Sequence, residues 1–71
     1  MNIEDKLDSA EMLFHKTVFV DYPVMVDMAY EDYIRLYNKN IDYIWYKELD
    51  TGIDYVRDIY EQYKQGRKTD Y

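Results

Sequence analysis

A chain of 71 residues is long enough for one small domain and too short for two domains with separate cores. It has no cysteine, which excludes disulfides and thiolate metal sites and is typical of cytoplasmic proteins. Hydrophobic residues make up 48% and aromatic residues 18% of the chain, too many for a disordered protein. We therefore expect a soluble globular domain whose stability on its own is marginal.

Charge is distributed unevenly along the chain, which carries a net charge of -6. Residues 1–34 hold eight acidic and two basic side chains, whereas residues 35–71 hold seven of each. This asymmetry favours a basic partner surface and argues against direct binding of nucleic acid. The acidic start differs from a signal peptide, and no apolar run approaches the roughly 20 residues of a membrane span. We expect a cytoplasmic protein that does not bind membranes.

The first predicted element is an amphipathic helix over residues 3–15. Apolar residues recur at helical spacing along this segment, and Asn2 precedes it as a suitable N-cap. Acidic side chains occupy the opposite side of the helix. His15 and Lys16 are expected at its C-terminal end, where the helix dipole favours cations.

Residues 17–26 fit two different structures. The β-branched residues within 17–20 favour a short strand, which Pro23 would restrict to the edge of a sheet. Alternatively, Pro23 stands in the first turn of a second helix whose N-cap is Asp21. In either case the apolar spacing that follows predicts a helix over residues 27–38.

Residues 41–49 also fit both a helix and a strand. Their apolar residues have helical spacing, whereas the aromatic side chains alternate as in a strand. We favour the helix. The alternative is an α+β fold in which 17–26 and 41–47 form a short strand or hairpin.

The last predicted element is a helix that follows the turn at residues 50–52. Apolar spacing extends from Ile53 to Tyr63, and Gly66 is expected to end the helix. Residues 67–71 would then form a frayed tail. The expected fold is mainly α: a compact domain of three to four helices within residues 1–66.

The chain contains ten tyrosines, more than a core of this size can hold, because each buried hydroxyl needs a hydrogen-bond partner. Several should therefore lie at the surface, where tyrosine is typical of protein interfaces. The codon bias of an AT-rich genome would also explain the excess. One hypothesis is a homodimer or partner face formed by aromatic residues, namely Tyr33, Tyr37, Trp45, Tyr60 and Tyr63.

The sequence contains few of the residue types that usually form a catalytic site. His15 is the only histidine and Ser9 the only serine, and six residues of helix place them on nearly opposite faces. Paired carboxylates are frequent, but a domain this small has little room for a cleft between them. Glycine-rich phosphate loops and calcium loops are absent from the sequence. We expect no enzyme activity, no cofactor and no metal.

Acidic residues repeat once per turn on the first helix, at Glu4, Asp8 and Glu11. A rise of about 4.5–6 Å between them allows this row to imitate the phosphates of a DNA strand. An ordinary solvated helix face has the same pattern. The residues that would extend the row are Asp21, Asp27, Glu31 and Asp32, with Tyr22 and Tyr30 beside them.

In its size, acidity, tyrosine content and lack of cysteine, the chain resembles the small proteins with which bacteriophages disable host machinery, notably the DNA mimics. The resemblance implies a non-catalytic inhibitor in the bacterial cytoplasm, with no diagnostic motif shared. Its partner would be a basic DNA-binding protein, such as a nucleoid protein, sliding clamp, DNA repair enzyme or CRISPR nuclease. The neutral second half departs from this pattern. The alternative is a protein–protein interaction module or homodimer that uses a tyrosine-rich surface.

Overall fold

The computed structural model describes the backbone of residues 2–68 and the side chains of residues 2–66. Its elements, in chain order, are the helices α1 (Ile3–Val20), α2 (Pro23–Lys39), α3 (Ile41–Lys47) and α4 (Ile53–Lys68). The predicted mainly α domain is thus confirmed. The alternative strand or hairpin at 17–26 and 41–47 is wrong, because both segments lie largely in helices.

Helix α1 begins as predicted and ends later than predicted. The Asn2 side chain accepts a hydrogen bond from the backbone N–H of Asp5 at 2.8 Å. At the other end, the β-branched residues stay helical because tertiary packing outweighs their weak strand preference. Phe14 and Thr17 are both buried, and the Thr17 hydroxyl donates to the Phe14 carbonyl at 2.6 Å. His15 therefore lies within α1 and not at its end.

The turn between α1 and α2 consists of two residues. Asp21 adopts the left-handed conformation (φ 59°, ψ 52°), and its N–H bonds to the Val18 carbonyl at 3.1 Å. Asp21 therefore ends α1, and its predicted role as the N-cap of α2 is wrong. That position belongs to Tyr22, whose side chain makes no capping bond, and Pro23 then begins α2 in the first turn. An abrupt reversal of the chain requires the left-handed residue, which aspartate tolerates comparatively well.

The second half of the chain contains the short α3 and the longer α4. Helix α3 ends at Lys47 and is followed by its C-cap Glu48, which is also left-handed (φ 52°). Helix α4 continues through Gly66 to Lys68, so the prediction that Gly66 ends the helix is wrong. One glycine costs a helix only about 1 kcal/mol. Residues 69–71 of the predicted tail lie outside the described part of the chain.

The core lies where the antiparallel α1–α2 hairpin meets α4, with α3 at the end of α2. The predicted apolar faces of α1 and α2 contribute to the core. On α3, Ile44 is buried, whereas the Trp45 side chain is 74% exposed. The domain is elongated, measuring 44 × 19 × 16 Å. Its buried apolar residues are Leu7, Phe14, Val26, Ala29, Tyr33, Ile44 and Val56.

Candidate functional site

The structure distributes the nine predicted partner-contact residues over three parts of the molecule. The acidic residues of α1 line a small cleft together with the loop that precedes α4. Asp21, Asp27 and Tyr30 take part in contacts that hold α4 against the hairpin. The remaining three, Tyr22, Glu31 and Asp32, have exposed side chains.

The cleft beside α1 has a volume of about 70 Å³. Glu4, Asp8 and Glu11 line it from α1, and Asp50 adds a fourth carboxylate from the loop. Sequence reasoning missed Asp50, because its position beside α1 depends on how α4 packs. We call this the carboxylate cleft; its lining is Glu4, Leu7, Asp8, Glu11, Tyr33, Leu49, Asp50, Thr51 and Gly52.

Glu11 has the most constrained carboxylate in the cleft. Its Oε2 lies 3.2 Å from the Nε2 of His15, one turn further along α1. A Cβ atom at Gly52 would overlap the Glu11 carboxylate, so this glycine allows the close approach of the loop to α1. The predicted acidic row is thus closed by the loop at one side.

Tyr33 of α2 also lines the cleft, and its side chain is 0% exposed. Its hydroxyl is buried and interacts with the Thr51 side chain of the loop. Burial, followed by the charge on Glu11, raises the pKa of Tyr33 to about 12, although the Thr51 side chain nearby lowers it in part. At neutral pH the hydroxyl therefore keeps its proton.

Two tyrosines of α4 bind aspartates that the sequence suggested as partner contacts. The Tyr60 hydroxyl donates to Asp27 at 2.8 Å, and the Tyr63 hydroxyl donates to Asp21. The Tyr60 ring also stacks on Tyr30, with centroids 3.8 Å apart and an interplanar angle of 7°. Burial, and then the hydrogen bond to Asp27, raise the pKa of Tyr60 to about 12. These contacts join α4 to the hairpin.

The outer face of α2 mixes both signs of charge. The Oδ1 of Asp32 lies 3.6 Å from the Nη1 of Arg35. This ion pair is exposed to solvent and therefore stabilises the fold little. Glu31 borders a shallow groove that Arg35 and Lys39 also line. This face therefore does not continue the acidic row of α1.

The predicted tyrosine-rich partner face lies mostly inside the domain. Tyr33 is fully buried, whereas Tyr37, Tyr60 and Tyr63 are partly buried and pack against the core. Only Trp45 of that set is largely exposed. A partner could therefore reach little of this aromatic group without opening the fold.

A different apolar surface covers the part of the hairpin near its turn. Eight large apolar or aromatic side chains between residues 12 and 28 are exposed by 47–89%. Sequence reasoning missed this surface because it interpreted several of these residues as a strand or a helix start. We call it the hairpin surface: Met12, Leu13, Phe19, Val20, Tyr22, Val24, Met25 and Met28.

The hairpin surface includes the side of α1 and α2 that α4 leaves uncovered. Glu11 and Tyr30 mark the sides that face the loop and α4. Leu13 is about 200° around α1 from Glu11, and Met28 is about 200° around α2 from Tyr30. Both apolar side chains consequently point away from α4.

Among the described residues, no group of three or more histidine, aspartate or glutamate side chains is arranged to hold a metal ion. None of the described helices combines the length and the apolar character that crossing a bilayer requires. Comparison with known protein families, curated proteins and solved structures gives no match to this chain.

Proposed function

We propose that this chain is a non-catalytic protein-binding domain whose hairpin surface docks on a basic partner protein. The observation that carries the proposal is the exposure of eight large apolar side chains within residues 12–28. Single exposed apolar residues are normal, but a concentration of them is typical of interaction surfaces. Methionine and aromatic residues, which are frequent here, are also enriched in interfaces.

The accessible surface of the chain is consistent with an uncovered interface. It amounts to 5552 Å², whereas a compact protein of 8.8 kDa exposes about 4,800 Å². Part of the difference follows from the elongated shape.

The charges around the hairpin surface favour a basic partner over a second copy of this chain. Residues 12–32 contain one lysine and four carboxylates. Two copies that met through this segment would bring net negative charge together, and like charges across an interface are unfavourable. A partner with an apolar patch and a basic rim would complement both features.

The proposal can be tested with the Phe19→Ser/Val24→Ser double variant in affinity capture from nuclease-treated bacterial lysate. The matched control is Tyr46→Ser on α3, because Tyr46 and Phe19 are exposed to similar extents, 80% and 89%. We expect a basic protein that binds the wild type and Tyr46→Ser but not the double variant. Equal capture by both variants would contradict the proposal.

The oligomeric state is measured alongside, by sedimentation equilibrium of the wild type and the double variant. We expect both to be monomers in the absence of a partner. If the wild type is a dimer and the double variant is a monomer, the occupant of the hairpin surface is a second copy. The heterologous partner would then be rejected.

DNA mimicry is a second candidate, favoured by the carboxylates that Glu4, Asp8 and Glu11 present at the cleft. Under this hypothesis the captured protein binds DNA, and duplex DNA displaces it from the chain. Binding should weaken from about 50 to about 500 mM salt because exposed charges are screened. The Glu4→Gln/Asp8→Asn/Glu11→Gln variant should lose such a partner. If capture of the partner changes neither with salt nor with these three substitutions, DNA mimicry is excluded. The proposal of apolar docking would remain.

A further inference from the structure

We propose that the hairpin surface receives one amphipathic α-helix of its partner, seated along the line where α1 and α2 meet on the side opposite α4. This inference rests on the proposed function, because it specifies the partner segment that the same surface would bind. Docking there would place the hairpin between two helices, with α4 on one side and the partner helix on the other.

Four half-exposed apolar side chains mark this line, two from each helix. Leu13 and Val20 share one side of α1, because seven residues make nearly two full turns. Met25 and Met28 are three residues apart and share one side of α2. The four side chains are exposed by 47–55%, so each is partly embedded in the hairpin and partly open to a partner. We call them the seam.

The backbone of the hairpin restricts the conformation of a segment that binds here. Both sides of the seam are helices, whose backbone N–H and C=O groups are already bonded within each helix. Within residues 2–68, no strand offers an edge that could pair with an extended peptide. A docked segment must therefore satisfy its own backbone groups, because burying them unpaired against apolar side chains is costly. An α-helix does so throughout its interior.

The size and composition of the seam also suit the apolar face of a helix. Methionine side chains are unbranched and adapt to the shape of a partner, as in surfaces that bind amphipathic helices. Leu13 and Val20 are about 10 Å apart along α1, which corresponds to about two turns of a facing helix. The partner helix should therefore carry apolar residues at spacings of three and four over at least two turns.

The charges beside the seam indicate where a basic residue of the partner helix would lie. Asp32 follows Met28 by four residues and stands one turn further along the same side of α2. Its carboxylate is exposed, and its ion pair with Arg35 is long, at 3.6 Å, so a basic side chain of the partner can compete for it. Lys16 lies midway along the α1 side and disfavours a cation there. We therefore expect lysine or arginine at one end of the partner helix, over Asp32.

The test is a selection from a library of random peptides of about 16 residues, some four turns of helix. Peptides that also bind the Leu13→Ser/Met28→Ser variant are removed. This variant should fold, which circular dichroism checks, because neither residue belongs to the core or packs against it. We expect enriched sequences with apolar residues at i, i+3, i+4 and i+7 and with basic residues beside them. Enrichment of alternating or unpatterned sequences, or no enrichment, would overturn the inference.

A proline substitution then tests the helix directly. The most enriched peptide is synthesised with proline or with alanine at one central position outside its apolar stripe. Proline disrupts the interior of a helix, whereas an extended peptide tolerates it. We expect isothermal titration calorimetry to show binding at least about tenfold weaker with proline, and unchanged with alanine. Equal affinity of the two peptides would reject a bound helix.

Variants of the chain locate the peptide on the seam. Leu13→Ser/Met28→Ser should bind it at least about tenfold more weakly, whereas Tyr46→Ser on α3 should bind it as the wild type does. Asp32→Asn should weaken binding by a smaller factor, about two- to fivefold, and its matched control Asp42→Asn on α3 should not. Unchanged affinity in the double variant would contradict a site between α1 and α2.

The outcome can be separated from that of the proposed function. If lysate yields a basic partner that requires Phe19 and Val24, but no helical peptide is enriched, the helix is rejected and the docking proposal stands. If the enriched peptides are helical but not basic, the seam binds a helix and the basic partner is rejected. If the substitutions on the hairpin surface change neither capture nor peptide binding, both proposals fail.

Discussion

The two helix interfaces of this domain are built from different chemistry. Between α1 and α2, Phe14 and Val26 are fully buried apolar side chains. Helix α4 contributes one fully buried apolar residue, Val56, and otherwise contacts the hairpin through partly buried side chains. Tyr60 donates to Asp27 in that second interface, at 2.8 Å.

The α1–α2 interface mainly stabilises the domain, whereas the interface with α4 fixes the position of α4 along the hairpin. Apolar burial depends on area and has no preferred direction, so it stabilises the hairpin without fixing α4. A hydrogen bond between side chains 33 residues apart requires one register of α4 along the hairpin. We therefore expect substitutions in the hairpin core to unfold the domain, and substitutions at the tyrosines to loosen α4.

The largest expected effect follows from Phe14→Ala. Removing a fully buried phenylalanine costs about 3–5 kcal/mol, a large part of the stability of a domain this small. Urea denaturation followed by far-UV circular dichroism should show a variant that is mostly unfolded without urea. Phe19→Ala, at an exposed position of the same helix, is the control and should change little. Similar losses in both variants would contradict the assignment of the core.

The second-largest effect is expected from alkaline pH, which should weaken the contacts of the buried tyrosines. The pKa values of Tyr33 and Tyr60 are raised to about 12 in the folded chain, above the usual 10.0. The folded state therefore holds more protons than the unfolded state between these values, and the free energy of unfolding falls as pH rises from about 10 to about 12. Below pH 10, these two tyrosines should not make the free energy of unfolding depend on pH. Urea denaturation at several pH values measures this slope, and Tyr33→Phe and Tyr60→Phe should each reduce it.

Tyr60→Phe tests the polar interface directly at neutral pH. The ring stack on Tyr30 is retained, whereas the hydrogen bond to Asp27 is lost, at an expected cost of about 1 kcal/mol. Amide hydrogen exchange should accelerate in α4 more than in α1. The exposed Tyr55→Phe is the control. Uniform acceleration in all helices would show that α4 does not open separately.

The smallest effect is expected for Gly66→Ala in α4. Apart from its chain neighbours and the backbone of its own helix, a Cβ at this position meets nothing within 4 Å, and alanine favours a helix over glycine. We expect a gain of about 0.5–1 kcal/mol in the free energy of unfolding. Thermal denaturation measures the gain. A loss would mean that the backbone at Gly66 is not helical in solution.

Much of the helical framework can be predicted from the spacing of apolar residues. Leu7 and Phe14 on α1, and Val26 and Tyr33 on α2, are buried as their spacing requires. The segment at 17–20 could not be assigned because strand preference is a weak local effect that packing against α2 overrides. The role of Asp21 was missed for a related reason: a capping aspartate fits the end of one helix as well as the start of the next.

The candidate sites were less predictable because they depend on contacts between distant parts of the chain. The row of acids on α1 was visible in the sequence, but its closure by Asp50 follows from the packing of α4. Asp21 bonds to Tyr63, 42 residues away, which no local pattern indicates. The hairpin surface became visible only when the helix boundaries showed which apolar side chains the core leaves out.

The exposure of Trp45 has a consequence for spectroscopy. It is the only tryptophan of the chain and lies on α3, outside the hairpin core. Because its indole is already mostly in contact with solvent, its fluorescence should change little when the core unfolds. Emission from Trp45 instead reports on the surroundings of α3. A spectral shift on addition of a partner would therefore reveal contact with α3, away from the hairpin surface.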